Sequence, residues 1–143
     1  MEKTWVVAAE SSRARVFVSE NRVSPLIELE DFAHTDSRVK DQDIVSDKPG
    51  RGFDGVVEGR HGFEKQSDAK HHEALVFAKR VAERIEQGRA RSEFEALVLI
   101  AAPEFLGMLR HELSAPTARM VVKTIDKNLV QKPEADIRGY VFT

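Results

Sequence analysis

ALVLIAA, residues 96–102, runs without a polar side chain and is closed by Pro103. No alternation separates a wet face from a dry one. A run of strand length with this character belongs to a strand covered on both faces, as in a sheet with helices above and below it. Pro103 suits the first position of a following helix, where a missing N–H costs nothing. Phe105, Leu106, Leu109 and Leu113 supply that helix with an apolar face, and Ser114-Ala115-Pro116 breaks it.

Working back from residue 96, Ala74, Leu75, Ala78, Val81, Ala82 and Ile85 recur at helical spacing, with Phe77 widening the stripe. Lys79, Arg80, Glu83, Arg84 and Glu86 cover the opposite face. Ser67 is the expected N-cap, Asp68 complements the helix dipole, and Gly88 marks the expected end. Further upstream, Thr4–Ala9 reads as a buried strand, Ala14–Ser19 as a second, and Leu26–Phe32 as a half-exposed third. Short turns make these three an antiparallel meander. Downstream, Met120–Ile125 predicts a fifth strand and Pro133–Val141 a terminal helix. The order βββ-α-β-α-β-α implies an α/β fold in one domain, residues 1–143, with a mixed sheet and helices on both faces.

A chain of 143 residues with 41% hydrophobic content can bury a core of that kind. Its 22 basic and 24 acidic side chains leave a net charge of −2, so any polyanion must be met by a local patch. The absence of cysteine excludes disulfides, thiolate metal sites and thiol nucleophiles. Trp5–Ala9 is too short for a secretory signal, and no stretch has the length of a membrane span. The expectation is a cytoplasmic protein with no membrane association.

Between the meander and the long helix, Ala33–Gln66 carries five of the eight glycines, and its GRGFD is echoed by GRHGFE. It reads as an irregular glycine-rich loop at about 34–66, and a loop of this length in a compact domain is a place to look for function. Arg51, Arg60, His61 and Lys65 have the chemistry to contact phosphates, and Phe53 and Phe63 to stack on bases, with glycines allowing close approach. The same aromatics could instead pin the loop to the core or to a second subunit. The segment holds six Lys/Arg against seven Asp/Glu, so its charge alone attracts no polyanion.

TWVVAAESSRARVF, LIELEDFAH, DIVSDKPGR, the loop, HHEALVFAKRVAERI, LVLIAAPEFLGMLR and VVKTIDKNL occur in this order. Together they resemble the bacterial family called "protein required for attachment to host cells" over nearly the whole chain. That family in turn looks like the middle domain of archaeal and eukaryotic peptide-chain release factors. The resemblance implies an RNase H-like three-layer fold with strand order 3-2-1-4-5, and it suggests a translation-linked module that binds the ribosome or tRNA through the loop. In release factors the loop carries Gly-Gly-Gln. Here no Gly-Gly-Gln is present, which favours a non-enzymatic module. Were peptidyl-tRNA ester hydrolysis to occur, Gln66 and His61 are the residues to orient water. No cofactor is implied, and a homo-oligomer is compatible with the meander edge or the terminal helix. The competing reading is a protein-interaction factor in cell attachment, with no RNA ligand.

Other residues draw weaker readings. Arg13 and Arg15, at the first turn, could extend a nucleic-acid surface or simply flank a hairpin. His71, His72 and Glu73 match no metal-ligand spacing, because adjacent helical positions diverge. Glu10, Glu104 and Asp126 fall near strand ends, where a nuclease of this fold would gather carboxylates for metals, but they form no motif. Neither a GxSxG elbow nor a phosphate-binding glycine loop is present.

Overall fold

The computed structural model describes residues 3–34 and 59–143, with the side chains of the long helix described from Asp68 onward. Three strands open the chain: β1 (Thr4–Glu10), β2 (Arg13–Ser19) and β3 (Ile27–Ala33). Helix α1 (Gly59–Ala90) leads into β4 (Ala96–Ile100), and α2 (Pro103–Glu112) follows. A single turn, α3 (Ala115–Ala118), precedes β5 (Val121–Ile125), and α4 (Glu134–Val141) closes the order.

The five strands form one mixed sheet in the order β3-β2-β1-β4-β5. β1 pairs antiparallel with β2 and parallel with β4, and β5 is parallel to β4. The α/β class, the mixed sheet and the strand order thus match the expectation. ALVLIAA contributes Ala96–Ile100 to the pairing, and all five residues are buried. Alternate side chains of β1 divide between two cores. Trp5, Val7 and Ala9 face α1 and α2, while Val6 and Ala8 face Phe17, Ile137 and Val141 on the side of α4. A strand dry on both faces cannot alternate in polarity, which is why TWVVAA and ALVLIAA look alike.

One boundary differs by eight residues. Ser67 does not cap α1; the helix already runs from Gly59, so Gly59–Gln66 belongs to it and not to an irregular loop. Arg60, Glu64, Lys65 and Gln66 are good helix formers, and a single interior glycine costs only about 1 kcal/mol. At the other end Gly88 is followed by two more helical residues. Ser114, expected only to break a helix, also starts one: its hydroxyl accepts from the N–H of Thr117.

At 32 residues α1 is about 48 Å long, whereas strands of five to seven residues span about 17–23 Å. Coming from β3 and returning to β4, which are parallel to one another, α1 runs against both. Its first half therefore lies towards the carboxyl ends of β1 and β4. Among the described side chains of α1 the buried stripe begins at Ala74, and Asp68–His72 are exposed.

Candidate functional site: a cleft at the carboxyl ends of β1 and β4

β1 and β4 are neighbours, but the chain leaves them in opposite directions, β1 towards β2 and β4 towards β5. In open α/β sheets such a reversal leaves a crevice beyond the strands' carboxyl ends, where ligands bind. A cleft of about 530 Å³ lies there, within the range of small-molecule sites. Glu10 and Ser11 come from the end of β1, and Ala102, Glu104, Phe105 and Met108 from the start of α2. Lys70, His71 and Ala74 come from α1, and Asn128 from the segment after β5. Ala74, Ala102, Phe105 and Met108 are its apolar lining, and Glu10, Ser11, Lys70, His71, Glu104 and Asn128 are its polar groups.

Glu10 is held from two sides. Asn128 donates from Nδ2 to its Oε2 at 2.9 Å, and Ser12 donates from Oγ to its Oε1 at 3.3 Å. The Asn128 amide is itself oriented, since its Oδ1 accepts from the N–H of Val130 at 3.2 Å. Each carboxylate oxygen keeps a lone pair for a further donor. Across the cleft His71 Nδ1 stands 3.6 Å from Glu104 Oε1, with both side chains largely exposed. Lys70 makes no hydrogen bond or ion pair among the described residues.

Of the residues singled out from sequence, Arg51 and Phe53 lie outside the described residues. Arg60, His61, Phe63, Lys65 and Gln66 are on the first turns of α1, with their side chains outside the description. Arg13 and Arg15 are described, and acids engage both. Arg13 makes a two-point contact with Asp31 at 3.0 and 2.7 Å; hydrogen bonding to Arg13 holds the Asp31 carboxyl below the ordinary carboxylate range, against a smaller opposing effect of burial. Arg15 makes the same kind of contact with Glu28 at 3.1 and 2.9 Å and also donates to the carbonyls of Val130 and Lys132. These donors serve the fold.

Glu10 and Glu104 do meet at one cleft, whereas Asp126 is not among its lining residues. No three His, Asp or Glu side chains among the described residues converge as metal ligands. Asn128, Lys70 and Met108 carried no signal in the sequence; they arrive from three separate elements, and only the topology brings them together. Among the described residues no helix is long and apolar enough to cross a membrane.

No curated protein matches the chain. The family described as "Protein required for attachment to host cells" matches residues 5–141, nearly the whole chain and every strand and helix of the sheet architecture, and the protein belongs to that family.

Proposed function

We propose that this host-attachment family protein is a translation-linked, non-catalytic module that engages the ribosome or tRNA through residues 34–66 and the first half of α1. The observation that carries this reading is the overhang of α1. The helix runs from Gly59, well before Ala74, and its sequence carries Arg60, Lys65 and Lys70 with His61, His71 and His72 along that one stretch, of which Asp68–His72 are exposed. The helix start also presents the positive end of the backbone dipole, which favours phosphate. Glu64 and Asp68 intersperse these cations, so attraction rests on local donors and not on a long-range field. The resemblance of the meander, loop and helix order to release-factor middle domains directs the reading to the ribosome.

Arg13 and Arg15 are left out of the proposed surface, because each is paired with an acid of β3. Co-sedimentation with ribosomes at low and moderate salt tests the reading. The bound fraction is expected to fall as salt rises and to fall further in an Arg51→Ala, Arg60→Ala double variant. Wild-type protein that is folded yet stays in the supernatant at both salts sinks it, and leaves a protein contact as the family's mode of action.

A further inference from the structure

We propose that the cleft between β1, α1 and α2 binds a guanosine 5′-phosphate unit, with the guanine edge on Glu10 and the phosphate on Lys70. This goes beyond the ribosome reading and does not require it. A carboxylate fixed from both sides is a template for two adjacent donors. Glu10 is such a group: Asn128 and Ser12 take one lone pair on each oxygen, and the Val130 N–H locks the Asn128 amide. Guanine alone among the common bases offers two neighbouring N–H groups on its Watson–Crick edge, N1–H and N2–H. Adenine and cytosine place an acceptor beside their donor, and uracil flanks its donor with two acceptors. A carboxylate meeting those edges gains one hydrogen bond and suffers repulsion at the next.

The rest of the cleft suits the rest of the ligand. Ala74, Phe105 and Met108 form an apolar wall for the base, and Lys70 supplies a cation without a partner among the described residues. The volume of about 530 Å³ accommodates a mononucleotide. A guanidinium group presents the same donor pair but would leave the apolar wall uncovered and most of the space empty. The nucleotide has two sources, a free mononucleotide or an unpaired guanosine of an RNA, and the recognition chemistry is common to both.

Titration calorimetry on the full chain distinguishes them. The ligands are GMP, AMP, guanosine, free arginine, and a pair of short single-stranded RNAs differing by one guanosine. GMP is expected to bind at least about tenfold more tightly than AMP, and Glu10→Gln to remove about ten- to hundredfold, since an amide offers one acceptor where two are needed. Asn128→Ala should weaken the same preference, and Lys70→Ala should weaken GMP but not guanosine. Binding of the guanosine-containing RNA without binding of GMP assigns the site to RNA and supports the proposal. Circular dichroism on each variant verifies the fold; Glu10 and Asn128 lie at the surface, and Asn128→Ala stands in should Glu10→Gln not fold. Absence of saturable binding of any guanosine ligand to folded wild-type protein overturns the proposal. So does GMP binding that neither exceeds AMP binding nor responds to Glu10→Gln and Asn128→Ala, or binding of arginine alone. Ribosome co-sedimentation reads Arg51 and Arg60, so either idea can fail while the other stands.

Discussion

A Cβ placed on Gly88 would stand 2.5 Å from Cη2 and 2.7 Å from Cζ3 of the Trp5 ring. The ring has no room to retreat. It is wholly buried, its centroid is 4.8 Å from that of Phe94, and the Arg84 guanidinium covers it at 4.9 Å. Glycine at position 88 therefore serves a close approach between α1 and β1, and not the end of a helix.

Gly88→Ala is expected to destabilise the protein by about 1–2 kcal/mol, because overpacking at the ring outweighs the gain in helix propensity. Gly107→Ala, on α2 with nothing within 4 Å of the added Cβ, should do the opposite and stabilise by about 0.5–1 kcal/mol. Urea denaturation of the two variants checks the pair; a stabilising Gly88→Ala would contradict the packing described.

Arg84 joins that packing to two carboxylates. Its Nε donates to Glu30 at 2.7 Å, its Nη1 reaches Glu93 at 3.5 Å, and its guanidinium plane lies over Trp5. Arg84→Lys keeps the charge but loses the planar fork and the stacking, and a loss of about 1–2 kcal/mol is expected. Trp5 fluorescence should shift in the same variant. Unchanged stability together with an unchanged emission maximum would refute the role assigned to the guanidinium.

Glu86 ties α1 to the turn after α2. Its carboxylate accepts from the backbone N–H of Ser114 at 2.8 Å, from Thr117 Oγ1 at 2.7 Å, from Ser114 Oγ at 3.0 Å and from Arg89 Nε at 3.3 Å. Burial alone would push the group upward, but these donors together bring it below its ordinary value of 4.5. A depressed folded value means that the contribution is fully present above pH 4.5 and is lost as pH falls through the folded value. Glu86→Ala should cost about 2 kcal/mol at neutral pH, chiefly by leaving donors unpaired. Between wild type and Glu86→Gln, the stability difference should shrink as the solution is acidified below pH 4.5. A difference constant across that window would show that the carboxylate charge is immaterial.

Arg15 spans the sheet and the segment before α4. Besides Glu28 it donates from one nitrogen to the carbonyls of Val130 and Lys132, at 2.9 and 2.8 Å, and it lies 4.9 Å from the Phe17 ring centroid. Arg15→Ala is expected to destabilise by about 1–3 kcal/mol, measured by chemical denaturation, and to leave ribosome co-sedimentation unchanged once the protein is folded. Loss of co-sedimentation at full stability would return Arg15 to the nucleic-acid surface.

Most of the sheet was legible before any coordinates. Uninterrupted apolar runs at 4–9 and 96–102 and the alternation at 26–32 are local signals, set by how many faces of each strand are covered. The start of α1 was not legible. Gly59 and Gly62 resemble loop residues when counted, whereas the surrounding Arg60, Glu64, Lys65 and Gln66 carry the helix through them. The surroundings of the hairpin arginines were not legible for a different reason. Whether Arg13 and Arg15 are paired depends on β3 lying beside β2 so that Asp31 and Glu28 fall diagonally across from them, which is a property of the pairing.

Sequence alone determined the α/β class, the succession of elements and the two-faced burial of β1 and β4, because hydrophobic periodicity is written along the chain. Only the tertiary structure decided that Glu10 and Asn128, 118 residues apart, share a hydrogen bond at one cleft with Lys70 and Met108. Such a site arises where strands exchange direction in space, and the order of strands across a sheet leaves no mark at any single position of the chain.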